Sequence, residues 1–327
     1  MKIIQPKILV ALAIFTAIFV LKPGEAFAKW QPPPSLECVV PAGEGGGSDQ
    51  MIRFIAREIE KRKLSPQKIT VVNKPGGSGI EGYMYLKNKK GSNDTLLISL
   101  TSIFTLPVAM GAQFRWNELT PIARMALDEF VLWVHADTPY HTLEDYIKVL
   151  KSKEPGAFKM GGTGAAQEDQ LITIMLERAA GVKFTYVPMG GGGSVAQALK
   201  DKKIDSTVNN PAEAAGFWKE GKVRPLAIFD SKRLTLPDWL KIPTMKEKGY
   251  DVEYLMMRGI FGPPGMDKEA AAYYLNILQK VYNGEEFKAY LRKNSMIPAW
   301  VTGAEFVKWL EDEDVVHRNL LNNLGLK

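Results

Sequence analysis

Directly after the apolar run Cys38-Val39-Val40 the chain reads Pro41-Ala42-Gly43-Glu44-Gly45-Gly46-Gly47-Ser48-Asp49-Gln50, then enters an amphipathic stretch. A short buried strand, a glycine turn and a Ser/Asp helix start, joined in that order, form the strand-end-to-helix unit of an α/β layer. Glycine lets backbone N–H groups face a ligand, because no Cβ blocks positive φ or close approach. The helix that follows adds unpaired N–H groups and the positive end of its dipole. No nucleophile stands with a base in this loop. The loop therefore suits holding a small anion better than transforming one.

The alternation continues. Glu37–Val40, Ile69–Asn73 and Thr95–Leu100 read as strands, separated by helices over Ser48–Lys63 and Gly79–Lys89. In the first helix Met51, Ile52, Ile55 and Ile59 share one face, the spacing of a helix packed on a sheet. This βαβαβ opening predicts a parallel, doubly wound sheet. A second series has strands at Val131–His135, Phe158–Gly161, Phe184–Val187, Ile204–Val208 and Val223–Phe229. Its helices are Thr142–Ser152, Gln167–Ala180, Ser194–Lys200 and Ala212–Glu220. Helices at Lys268–Tyr282, Glu285–Asn294 and Gly303–Asn323 follow, the last with Thr302 and Glu305 spaced as a capping box. A chain of this length exceeds one ordinary core, so two lobes are expected. The division is 29–125 for the first part of lobe one, 126–225 for lobe two, and 226–327 returning to lobe one. Crossings are expected near Ile122–Met125 and Val223–Leu226.

Residues 1–28 read as a signal peptide. Lys2 and Lys7 form a positive region, Ile8 to Leu21 an apolar one, and Ala26-Phe27-Ala28 a cleavage site. Cleavage after Ala28 implies export, and Cys38, the single cysteine, is expected as a buried thiol without a disulfide. An exported protein without disulfides suits the bacterial periplasm. The formal charge of +6 falls to about +4 once the leader is removed. Basic residues are dispersed among acidic ones, so nucleic-acid binding is not expected.

Further glycine loops open helices. Asn73-Lys74-Pro75-Gly76-Gly77-Ser78-Gly79-Ile80-Glu81-Gly82 contains a G-x-G-x-x-G that does not follow the first strand, which weakens a dinucleotide reading. Gly161-Gly162-Thr163-Gly164-Ala165-Ala166-Gln167 and Met189-Gly190-Gly191-Gly192-Gly193-Ser194 belong to the second series. Loops at strand carboxyl ends in two facing sheets would converge on one cleft. No G-x-S-x-G, Walker A or H-E-x-x-H motif is present, so no catalytic residue is assigned. His135, Asp137 and His141 do not make a metal site, no cofactor is implied, and His317, on a charged helix, is expected in solvent.

In this order the motifs resemble the periplasmic solute receptors of tripartite tricarboxylate transporters, the Bug-type family. The carriers are Pro41-Ala42 with Gly45-Gly46-Gly47-Ser48-Asp49, Val72-Asn73-Lys74-Pro75-Gly76, and Leu132–His135 with Thr142-Leu143. Val187-Pro188 with Gly190–Gly193, and Asp230-Ser231-Lys232-Arg233 with Ile242-Pro243-Thr244, complete the set. The resemblance covers the whole mature chain. It implies an α/β, two-lobed periplasmic-binding-protein-like (Venus flytrap) fold, each lobe a doubly wound sheet, with two crossing strands. It also implies a receptor, not an enzyme, capturing a small organic acid and passing it to large and small integral membrane subunits, with a monomer expected. Carried over, the ligand-binding residues are Gly46, Gly47, Ser48, Asp49, Thr101 and Ser102 in lobe one. In lobe two they are Thr163, Gly164, Ala165, Gly191, Asn209 and Asn210. Ser48 would serve as helix cap and ligand donor, with Asp49 bracing the loop.

Two positions depart from the family pattern. Glu44 stands where small or apolar residues are usual, and Ala166-Gln167-Glu168-Asp169-Gln170 replaces the usual Ser-rich segment ending in His-Leu. Glu168 and Asp169 are expected to face water at a helix N-terminus. If Glu168 instead faces the cleft, a ligand bearing an amine or a chelated cation follows. An exported sensory receptor of the same fold, or a hydrolase using the glycine cleft, are the alternatives.

Overall fold

The computed structural model describes residues 30–326, so the leader 1–28 and its cleavage point lie outside the described residues. Two sheets organise the chain. The first contains β1 (Ser35–Val40), β2 (Lys68–Asn73), β3 (Thr95–Ser99), β4 (Thr120–Asp128), β10 (Met256–Gly262) and β11 (Ile297–Thr302), in the order β11-β4-β10-β3-β1-β2. The second contains β5 (Val131–His135), β6 (Phe158–Gly162), β7 (Phe184–Pro188), β8 (Ser206–Thr207) and β9 (Val223–Ile228), in the order β7-β6-β8-β5-β9.

Each sheet has a parallel nucleus, β2-β1-β3 in one and β7-β6-β8 in the other. Neither sheet is parallel throughout. β10 runs antiparallel to β3 and β4, and β5 runs antiparallel to β8 and β9. The cause is the crossing. β4 and β5 lie in different sheets with only Glu129 and Phe130 between them, and the returning chain lies beside the outgoing one in the opposite sense. β4 stays in the first sheet to Asp128 and β9 in the second to Ile228, so both crossings fall later than the sequence suggested.

The helices follow the apolar spacing. α1 (Gly47–Lys61) buries Met51, Ile52, Ile55 and Ile59, the predicted face. α2 is Ile80–Asn88 and α4 Leu143–Lys151, the latter capped by Thr142, whose Oγ1 accepts from the Asp145 N–H at 3.1 Å. The second lobe adds α5 (Glu168–Ala180), α6 (Gly192–Lys200) and α7 (Pro211–Lys219). α8 (Lys268–Tyr282), α9 (Glu285–Lys293) and α10 (Gly303–Leu324) close the chain. Thr302 does precede α10, but its side chain makes no capping hydrogen bond.

Three elements escape the sequence pattern. α3 (Ser102–Ala109) is buried over most of its surface and carries Pro107, so it shows no amphipathic period. β4 and β11 each carry a proline near the start. β11 tolerates Pro298 because it is an edge strand with a register shift at that point.

The core places the C-terminal helix in both lobes. Phe306 and Leu310 pack with the first sheet's cluster, whereas Leu321 and Leu324 join Leu176, Ala180 and Val182 of the second lobe. His317 on this helix is buried, contrary to expectation. It stacks on Phe104 at 5.3 Å, pairs with the Tyr254 hydroxyl at 3.1 Å, and burial pushes its pKa down. Cys38 is buried as expected, and burial pushes its thiol up to about 12.

In the second lobe Trp133 is fully buried against Trp218 and Trp239, and its Nε1 donates to the Asn209 carbonyl at 3.0 Å. Trp133→Ala removes both the packing and the tether on the Asn209 loop. It should destabilise the fold by about 3–5 kcal/mol, measured as a lower urea midpoint; an unchanged midpoint would refute this role.

Candidate functional site

The strand ends and helix starts meet between the two sheets. β1 ends at Val40, and its loop leads to α1, with Gly46 as N-cap and Ser48 one residue inside the helix. Ser48 is therefore not the cap. The opposite wall comes from the starts of α5, α6 and α7. The loops touch closely: the Gly43 N–H donates to the Gly190 carbonyl at 3.1 Å, and a Cβ on Gly43 would stand 2.9 Å from that oxygen. Only glycine permits that approach.

Side chains then lace the lobes together. Glu213, in the first turn of α7, accepts from the Gly47 N–H at 2.9 Å through Oε1. Its Oε2 accepts from Asn209 Nδ2 at 2.8 Å and the Asn210 N–H at 3.1 Å. Glu168, in the first turn of α5, accepts from the Ser102 N–H, which opens α3, at 2.5 Å. Thr105 Oγ1 donates to the Ala166 carbonyl at 2.7 Å, and Gln167 Nε2 to the Ser78 carbonyl at 2.6 Å.

Arg258 of β10 stands at the floor, 1 % exposed. Its Nε donates to Asp128 Oδ2 at 3.0 Å and its Nη2 to the same oxygen. Nη1 donates to Ser48 Oγ at 2.5 Å, and Nη2 also to Asn210 Oδ1 at 3.2 Å. One guanidinium thus joins the end of β4, the start of α1 and the start of α7. A Cβ on Gly47 would collide with Nη2, so α1 can approach this group only through glycine.

The enclosed cavity is small, about 20 Å³, and is lined by Gly46, Gly47, Ser48, Thr163, Glu168 and Arg258, among others. Burial raises the pKa of Glu168 and of Asp128, the latter opposed by Arg258. Asp169 is pushed up to about 6 and Glu213 to about 7, again chiefly by burial. The two walls are in direct hydrogen-bonded contact around this cavity.

Of the residues expected at a site, Gly46, Gly47, Ser48, Thr163 and Asn210 line this cavity. Asp49 lies behind them, accepting from the Gly45 N–H at 2.9 Å, from Asn73 Nδ2 at 3.0 Å and from Arg53 Nε at 2.8 Å. Thr101 Oγ1 accepts from the Met257 N–H, and Ser102 faces Glu168. Asn209 is turned into its own lobe, donating to the Gly192 carbonyl. Gly164 packs on Ser78, Ala165 is partly buried outside the lining, and Gly192 lines the cavity in place of Gly191.

Glu168 and Asp169 do not face water. Both are buried; Asp169 turns back to accept from the Thr163 N–H at 3.1 Å and from Thr163 Oγ1. Arg258, Asp128 and Glu213 are absent from the expected set. Their signal was local: a lone charge inside the apolar run Met256–Gly262, an acid closing β4, and a Glu three residues beyond Asn210 in a capping box.

Residues 51–326 match the tripartite tricarboxylate transporter family receptor, TctC. This chain belongs to that family. A protein of Cupriavidus necator, described as a UPF0065 protein in the gbd 5′ region, is 25% identical over 93% of this chain and 91% of its own. The periplasmic binding protein BugD superposes with a TM-score of 0.85 at 20% identity, over 90% of this chain and 99% of its own. MatC from Rhodopseudomonas palustris, solved with bound malate, gives 0.80 at 20% identity, over 88% and 98%. The fold is that of the two-lobed receptors, and the chain is a solute-binding receptor rather than an enzyme. No helix among the described residues is long and apolar enough to cross a membrane.

Arg258→Met would leave Asp128 buried without its partner and should cost about 3–5 kcal/mol, whereas adding Asp128→Leu should restore much of that loss. Equal losses in the single and double variants, by chemical denaturation, would contradict this. Glu213 has a folded pKa raised from 4.5 to about 7. Its contribution to stability is therefore complete below pH 4.5 and is lost as pH rises through about 7. Glu213→Gln should flatten the stability profile across that window; an unchanged slope would exclude Glu213 as its source.

Proposed function

We propose that this receptor is exported, loses residues 1–28 after Ala28, and captures a small organic carboxylate in the cleft as a monomer. It then presents that solute to the large and small membrane subunits of a tripartite tricarboxylate-type transporter. The observation that carries the reading is the convergence of helix starts from both lobes. α1 contributes Gly46, Gly47 and Ser48, while α5, α6 and α7 contribute Glu168, Gly192 and Asn210 to one cavity. Aligned N–H groups and dipole ends attract carboxylates. Carboxylates of the chain itself already sit on two such amides, at Gly47 and Ser102. The malate bound to MatC is of the same chemical class.

Capture requires the lobes, 29–125 with 226–327 against 126–225, to part about the crossings and close on the ligand. Contacts from both walls then favour the closed state. Native mass spectrometry of the periplasmic protein should show one small organic acid per chain, recovered unchanged. Ser48→Ala should weaken its binding about tenfold or more, the loss of one charge-assisted hydrogen bond. Calorimetry giving wild-type affinity for a folded Ser48→Ala protein would remove Ser48 from the ligand's contacts, and chemical turnover of the acid would overturn the receptor reading.

A further inference from the structure

The two links between the sheets run side by side. Glu129 and Phe130 carry the chain from β4 to β5, and Phe229 and Asp230 carry it onward from β9. The register of β5 on β9 sets Val131 opposite Ile228, and the Phe229 N–H donates to the Phe130 carbonyl at 3.0 Å. Continued by one more pair, the same antiparallel register places Glu129 opposite Asp230. Two acids therefore meet across the crossings, where like charges directly opposite are destabilising.

Glu129 is 1 % exposed, and its Oε2 receives no hydrogen bond from any N–H or O–H donor. Its side chain lies within hydrogen-bonding reach of the Asp230 carboxylate, yet two ionised carboxylates have no proton to donate to each other. Asp230 is half-buried, and its Oδ1 accepts from the Ser231 N–H at 2.6 Å and from Ser231 Oγ at 3.1 Å. Asn210 Nδ2 fixes the backbone here by donating to the Glu129 carbonyl at 2.6 Å. The remaining titratable neighbours are already engaged. Asp128 on β4 is paired with Arg258 of β10, and Tyr254, packed on Phe130, directs its hydroxyl to His317. Burial first, then Asp230 and Asp128, push Glu129 up to about 10, and no cation among the described residues opposes them.

We propose that Glu129 and Asp230 share one proton across the two crossings, so that a neutral acid donating to a carboxylate joins the outgoing and returning strands. Buried polar atoms are rarely left without partners, and the proton supplies the donor that both carboxylates lack. It also removes one of two facing charges from a poorly solvated position. A hydrogen bond from a carboxylic acid to a carboxylate is among the stronger kinds. The link between the lobes is then free of internal repulsion at neutral pH.

Infrared spectroscopy and urea denaturation of the full mature chain test this. At pH 8 the wild-type protein should show the carbonyl absorption of a protonated carboxyl that is missing from Glu129→Gln. In Asp230→Asn, which leaves Glu129 in place, that absorption should be lost at a lower pH than in the wild type. The pKa of Glu129 is raised on folding from 4.5 to about 10, so the proton's contribution to stability is complete below pH 4.5 and is lost as pH rises through about 10. The ratio of the unfolding constant of the wild type to that of Glu129→Gln should therefore increase from pH 5 to pH 9, by up to about tenfold per pH unit for one proton. Identical carboxyl absorption in wild type and Glu129→Gln, or a ratio flat with pH, overturns the proposal. Should Glu129→Gln fail to fold, the infrared titration of Asp230→Asn decides alone. An unmoved midpoint there means that Glu129 is held neutral by burial without sharing, which also overturns it. Every one of these outcomes leaves the receptor reading untouched, because none involves the cavity between the lobes.

Discussion

The ion pair between Arg258 and Asp128 fixes the geometry on which the cleft depends. Both side chains are essentially buried, and a charge in such a position is tolerated only when paired and hydrogen-bonded. Arg258 answers this by reaching three segments at once: Asp128 at the end of β4, Ser48 in α1, and Asn210 at the start of α7. The first two lie in the lobe built on the first sheet and the third in the other. One guanidinium therefore sets how far the start of α1 lies from the crossing between β4 and β5.

Around that anchor the lobes meet through carboxylates on helix N-termini. Glu213 reaches the first N–H of α1 and Glu168 the first N–H of α3. Each contact joins a negative side chain to an orphan amide at a positive helix end, an arrangement favourable for both partners. Burial opposes it by raising both pKa values. The contact between the walls is consequently a balance between local hydrogen bonding and desolvation.

The crossings explain the mixed sheets. A chain that leaves one lobe through β4 and returns through β10 must place those strands side by side in opposite senses, and β5 and β9 repeat this in the other lobe. The C-terminal helix then ties the lobes differently, with Phe306 in one core and Leu321 in the other. His317 is buried midway along the helix between Phe104 and Tyr254, which is why a charged surrounding sequence gave the wrong expectation for it.

The sequence by itself determined the alternation of strands and helices, because apolar period and glycine punctuation are local properties that survive without tertiary contacts. Val131–His135 and Lys268–Tyr282 have in the structure the limits read from the chain. The family was legible for the same reason, since its motifs are those punctuation loops in order. Tertiary structure decided which loop residues line the cavity and what charge they meet there. Glu168 and Asp169 have the same local signature as a solvated helix start, and the approach of Ser102, Thr105 and Ser78 from the other lobe covers that start. Arg258 and Glu213 are separated from Ser48 and Gly47 by most of the chain, so no local pattern could pair them. Burial and long-range hydrogen bonding, which depend on where distant segments come to rest, set the chemistry of the cleft.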